Sequence, residues 1–176
     1  MSRRLAVLMA AVGMVVLMGS LASVALAAPG APTVVSTVPP NGATGVFIDA
    51  NIKAKFSEAM KQRSINTSTF YLLEGHFTYE QLNCTDSATT VCVDLPDPVA
   101  ATVRYNDDTK TAILNPTESL TPCTEYTAVV EGTGDGNMKA VKDRGGTPMA
   151  TDYIFYFTTG SGGSSGGGGG GDGPCG

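Results

Sequence analysis

Four cysteines carry the most definite chemistry in this 176-residue chain: Cys84, Cys92, Cys123 and Cys175. In an exported chain thiols meet an oxidising environment and pair as disulfides. Four cysteines allow three full pairings. Cys84 and Cys92 enclose Thr85 to Val91, with Asp86-Ser87 as turn formers, so the expected bridge is a stapled hairpin, Cys84–Cys92. Closing that loop would limit the freedom of the unfolded chain, by roughly 2–3 kcal/mol. Cys123 remains a rival partner for either of them. Cys175 stands in a glycine-rich tail and is expected as a free or intermolecular thiol, able to join two copies or to attach the chain to another component. Zinc is not indicated, because no Cys-x-x-Cys occurs and His76 is the single histidine.

The acidic residues give a weaker signal. Asp135-Gly136-Asn137, with Glu131 and Asp143 nearby, offers oxygen atoms of the kind calcium takes. The spacing is not that of an EF-hand, and a turn rich in Gly, Asp and Asn accounts for the same residues. Asp135, Asn137 and Asp143 are therefore weak calcium candidates, and no metal site is expected. For catalysis there is no Gly-x-Ser-x-Gly elbow. His76 has no neighbouring nucleophile, and Asp107-Asp108 falls in a turn without the burial that shifts a carboxylate. No acid, base and nucleophile assemble, so the chain reads as non-enzymatic and no cofactor is implied.

The elements that would position these residues begin after an export signal. Arg3-Arg4 is a short basic segment, Leu5 to Leu26 is almost wholly apolar, and Ala25-Leu26-Ala27 supplies small residues for cleavage after Ala27. An uncleaved anchor is the alternative, since the stretch is long enough to span a bilayer. The residues after Arg4 lack a Phe-Leu-Lys, which favours the general secretory route. No Cys is near the cleavage point, which argues against lipid attachment. Once Arg3 and Arg4 leave, nine Lys and Arg face 16 Asp and Glu, a net charge of about −7. No basic patch is visible along the sequence, which argues against nucleic acid or an anionic membrane as partner.

Short runs rich in Thr and Val between Gly, Pro and Asn signal an all-β chain. Seven strands are expected: 33–38, 51–57, 69–74, 99–105, 109–114, 125–131 and 153–158. In the second, Ile52, Ala54 and Phe56 alternate with Asn51, Lys53 and Lys55, so one face is buried. Asn106-Asp107-Asp108 reads as a hairpin turn, and residues 59–68 as room for a helical turn. Number and spacing suit an Ig-like Greek-key β-sandwich. Leu120-Thr121-Pro122-Cys123-Thr124-Glu125-Tyr126 has the Leu-x-Pro-x-x-x-Tyr spacing of a tyrosine corner, whose phenol bonds back to nearby backbone. The tail from Gly160 to Gly176 lacks apolar side chains to offset the entropy of ordering glycine, so it reads as a flexible coil. The expected division is a signal peptide at 1–27, a sandwich domain at 28–159 and a tail at 160–176.

Several short motifs follow in order: Pro-x-Val-x-x-x-x-Pro at Pro32 to Pro39, Asn41 to Val46, Phe56-Ser57-Glu58-Ala59-Met60, Leu114-Asn115-Pro116, and Lys142 to Gly146 before Met149-Ala150. With this order the chain resembles the SbsA-type bacterial Ig-like domain of surface-layer and cell-surface proteins. The resemblance implies a secreted, non-catalytic module at the cell surface or in the periplasm, acting as spacer, scaffold or adhesive unit with an envelope or extracellular partner. It also implies that Asp143 is a turn residue whose carboxylate accepts backbone amides. Two features depart from it: one copy rather than an array, and a long polar excursion from Gly75 to Pro98. The alternative is a module that binds calcium, glycan or copper. The turn and the Phe-Ser-Glu strand end are similar to those of periplasmic copper carriers. Ala28-Pro29-Gly30 offers no N-terminal histidine, however, and Met60 alone cannot build a soft site.

Overall fold

The computed structural model describes residues 30–83, 93–134, 139–162 and 175. Two four-stranded sheets face each other. The first has the order β1-β3-β6-β5, with β1 Val34–Val38, β3 Ile52–Phe56, β5 Ala101–Asn106 and β6 Thr111–Pro116. The second has the order β2-β8-β7-β4, with β2 Ala43–Val46, β4 Phe70–Glu74, β7 Glu125–Val130 and β8 Tyr153–Thr159. All seven expected strands are present within a few residues of their expected bounds. A single 3-10 turn at Gln62–Ser64 occupies the segment between β3 and β4.

The strand that the sequence did not disclose is β2. Its Ala-Thr-Gly-Val is short and does not alternate. It exists because the chain turns at Pro39-Pro40 and crosses to the other sheet while keeping its direction. There β2 pairs parallel with β8. Gly42 N–H donates to Tyr156 O at 2.7 Å and Gly160 N–H to Val46 O at 2.9 Å. β1 and β2 thus form one edge run shared by both sheets, and the strand number rises to eight.

Period-2 patterning builds the core. Ile52, Ala54 and Phe56 of β3 meet Phe70 and Leu72 of β4, Tyr126, Ala128 and Val130 of β7, and Phe155 and Phe157 of β8, all at most 1% exposed. Each large side chain buried in this way contributes about 1.5–3 kcal/mol. In the β5–β6 hairpin, Asn106 Oδ1 accepts the Thr109 amide at 3.0 Å, and Lys110 closes the turn at φ 54°.

The second sheet is buried on both faces. Leu73, Thr127 and Val129 point away from the main core yet are at most 2% exposed. The start of the polar excursion covers them. From Gly75 the chain folds back as a strap that ends in the one-turn helix α1, Tyr79–Leu82. Thr78 and Gln81 form a capping box at its start. The Thr127 hydroxyl donates to Gly75 O at 2.7 Å and accepts the Phe77 amide at 3.0 Å. The expected Cys84–Cys92 hairpin lies outside the described residues.

The β7–β8 connection folds back against its own strands. Gly132 N–H donates to Asp152 Oδ1 at 2.7 Å, and the Thr151 backbone crosses where a Cβ on Gly132 would stand. Gly132→Ala must push that crossing aside. It is expected to lower stability by about 1–3 kcal/mol, read from a denaturant midpoint. A midpoint equal to that of the parent protein would show that the crossing yields freely.

Candidate functional site

At one end of the sandwich the β6–β7 loop is tied by hydroxyl groups. Tyr126 is 1% exposed, and its hydroxyl accepts the Thr121 amide at 2.8 Å. Its ring stacks on Phe157 with centroids 5.6 Å apart. Leu120 is buried, and its amide donates to Ile48 O at 2.7 Å; Pro122 is exposed. The Thr159 hydroxyl donates to Thr121 O at 2.7 Å and accepts the Thr124 amide at 2.9 Å.

Cys175 is not the free thiol that the sequence suggested. It is bonded to Cys123 within the chain, with Cα atoms 5.5 Å apart, inside the range a disulfide spans. The reason is local: Cys123 N–H donates to Gly160 O at 2.9 Å, so the tail leaves the sandwich beside this cysteine. Cys123 is thereby taken from Cys84 and Cys92, and Cys175 is not available to join two copies.

His76 stands on the strap and meets two residues far away in sequence. Its Nδ1 lies 2.9 Å from Glu125 Oε1, and its ring stacks on Tyr156 with centroids 4.1 Å apart. The Tyr156 hydroxyl donates to Phe77 O at 3.0 Å. Burial, then the Glu125 and Glu80 carboxylates, raise the Tyr156 pKa above its usual 10.0, so the phenol stays neutral and keeps donating. A histidine, a carboxylate and a hydroxyl therefore converge, but the hydroxyl is committed to backbone and the imidazole and carboxylate are half-exposed. The cluster fastens the strap. No spacing in the sequence could have joined His76 to Glu125, because only strand pairing brings them together.

Of the acidic candidates, Asp143 is 8% exposed, and its Oδ1 accepts the Thr147 amide at 2.6 Å. Its carbonyl accepts the Gly146 amide at 3.1 Å. The carboxylate is thus engaged within its own turn. Asp135 and Asn137 lie outside the described residues. Glu131 accepts the Tyr71 hydroxyl at 2.7 Å. Among the described residues no three His, Cys, Asp or Glu side chains gather as metal ligands would. Met60 is in the core, 2% exposed.

At the opposite end the β3–β4 and β7–β8 connections lie against β5. Met60, Ile65, Val141 and Met149 are buried there and anchor them. Lys61 N–H donates to Lys142 O at 2.8 Å, Lys142 N–H to Ser64 Oγ at 2.9 Å, and Ser64 Oγ–H to Lys61 O at 2.7 Å. Either side of the 3-10 turn runs a groove. One, of about 790 Å³, is lined by Lys61, Arg63, Ile65, Asn66, Val103, Arg104 and Tyr105 among others. The other, of about 460 Å³, is lined by Lys61, Arg63, Asn66, Lys139 and Lys142 among others. A basic patch thus exists where none was legible in the sequence, because its members come from three separate segments.

Two measurements follow from the tied residues. Tyr126→Phe leaves the Thr121 amide without its acceptor and should cost on the order of 1 kcal/mol, with the denaturant midpoint as readout; an unchanged midpoint would mean that the hydroxyl carries no load. For Tyr156 the folded pKa lies above the unfolded one. Its stabilising effect is therefore complete below about pH 10 and is lost as pH rises through the folded value. In an alkaline absorbance titration one phenol should ionise later than the exposed tyrosines, and Tyr156→Phe should remove that late step. A late step that survives the substitution would assign the retained proton elsewhere.

A family profile for the bacterial Ig-like domain matches residues 28–159. No curated protein matches the chain. Among solved structures, domains 1–6 of the surface layer protein SbsC are similar at 17% identity and a TM-score of 0.45, over 74% of this chain and 14% of that one. The N-terminal part of the S-layer protein SbsC is similar at 17% identity and a TM-score of 0.44, over 74% of this chain and 24% of that one. This chain therefore spans a small fraction of the length of those structures. With its profile covering most of the sequence and both sheets in place, the chain belongs to the family of bacterial Ig-like domains.

Proposed function

We propose that this protein is an exported, non-catalytic Ig-like module that serves as a spacer or scaffold at the cell surface. In this reading residues 1–27 direct export by the general secretory route and are removed, residues 28–159 form the module, and residues 160–176 form its tail. Tyr126, with Leu120 and Pro122, acts as a structural tyrosine corner rather than a ligand platform.

The observation that carries the reading is the direction of the outer strands. β1 starts at the end of the sandwich that holds the β3–β4, β5–β6 and β7–β8 connections. β8 finishes at the other end. The kinked edge run β1–β2 counts as one leg, so the fold has seven legs and its two termini leave from opposite ends. β2 and β8 are moreover parallel neighbours. Tension applied between the start of β1 and the end of β8, ahead of the Cys123–Cys175 bond, therefore pulls their hydrogen bonds in shear, all together, rather than peeling them one at a time. The polar side chains of the described face clusters are committed to turns, loops and the strap, which suits a frame better than a reaction centre.

Single-molecule pulling tests the load-bearing role. With handles at residues 31 and 161 the module should break at a force severalfold above that needed with handles at residues 47 and 160, which unzip β2 from β8. Equal forces in the two geometries would overturn the spacer reading.

A further inference from the structure

We infer that the paired grooves around the 3-10 turn bind an acidic saccharide, one that presents a carboxylate on each of successive sugar rings. Lys61, Arg63 and Asn66 line both grooves, so the two form a single track across Gln62–Ser64. The chemistry of the wider groove is mixed in a specific way. Val103, Tyr105 and Ile65 give it an apolar floor. Lys61, Arg63 and Arg104 give it cationic walls, and Gln62 and Asn66 add amides. A sugar ring has an apolar C–H face, hydroxyls on its rim and, in a uronate, one carboxylate. Each of these finds its complement in the groove: ring against Tyr105, hydroxyls against amides, carboxylate against guanidinium or ammonium.

The frame is fixed before any ligand arrives. The Tyr105 hydroxyl accepts the Met60 amide at 2.9 Å, which holds the ring in the floor. The bonds among Lys61, Ser64 and Lys142 fix the backbone that carries the cations. Lys61, Arg63, Arg104 and Lys142 enter no ion pair among the described residues; the pairs there are His76 with Glu125 and Arg144 with Asp107. Four cations without carboxylate partners on one rigid track are a strong local feature in a chain with 16 acids. Acids of the remaining surface that come within the screening length of about 10 Å repel a densely charged strand such as nucleic acid. A chain with one charge per sugar meets less of that repulsion. This inference does not depend on the load-bearing reading, since the grooves face away from the β2–β8 pair.

The test is calorimetry at low salt on the full chain, with tri-galacturonate as probe and its methyl ester as the uncharged match. The acid should bind, salt should weaken it, and the ester should bind at least about tenfold more weakly. The double variant Lys61→Gln, Arg63→Gln should lose about tenfold in affinity. The double variant Lys53→Gln, Lys55→Gln removes equal charge from the outer face of β3 and should lose less than about twofold. Thermal midpoints should match in all three proteins. Should the first variant not fold, Arg104→Gln, on an exposed position of β5, takes its place with the same expectation. No heat with tri-galacturonate would overturn the inference. So would equal binding of the ester, or equal loss in the two charge-removing variants. Displacement of tri-galacturonate by millimolar inorganic phosphate or by a short oligonucleotide would also overturn it, by showing an anion site without saccharide chemistry.

Discussion

The structure depends on burying β7 from both sides. Its inward residues Tyr126, Ala128 and Val130 close the space between the sheets, while Thr127 and Val129 are sealed on the outer face. A strand covered in this way needs every backbone group paired, and β4 and β8 supply the partners along its whole length. It also needs its one outward hydroxyl satisfied. Thr127 achieves that by bonding the strap that covers it. Packing and hydrogen bonding therefore reinforce each other at one position.

The same logic explains why so many polar side chains of this protein do structural tasks. Tyr126, Tyr156, Thr159 and Asp143 each bond backbone of a loop rather than another side chain. Loops that wrap a small sandwich leave amides and carbonyls without ladder partners, and short polar side chains are the economical way to satisfy them. The side-chain pair His76 and Glu125 is half-exposed and holds the strap to β7 of the second sheet.

Charge is distributed by end. The connections β2–β3, β4–β5 and β6–β7 contain no Lys or Arg, whereas Lys61, Arg63, Lys110, Lys139, Lys142 and Arg144 all fall in the connections at the other end. The net charge of the chain hides this arrangement, since a sum over residues says nothing about which loops share an end. The six cations at that end are offset by seven acids in the same connections, whereas the three connections at the other end carry six acids and no Lys or Arg, so the two ends differ in charge.

The sequence alone determined the all-β class, seven of the eight strands, the inward set Ile52, Ala54 and Phe56 and the hairpin at Asn106 to Lys110. Each of these rests on local physics: side-chain alternation, turn chemistry and short-range hydrogen bonds. Tertiary structure decided the rest. β2 has no pattern of its own and is a strand only because β8 lies beside it. The consecutive Ala128-Val129-Val130 was a readable sign of burial on both faces, but what covers the outer face depended on where the excursion folds. The pairing of Cys123 with Cys175 across 52 positions was settled by the place where the tail leaves the sandwich. The basic track draws on β5 and two connections that are distant in sequence, and pairing and core packing, which act through space, are what bring them together.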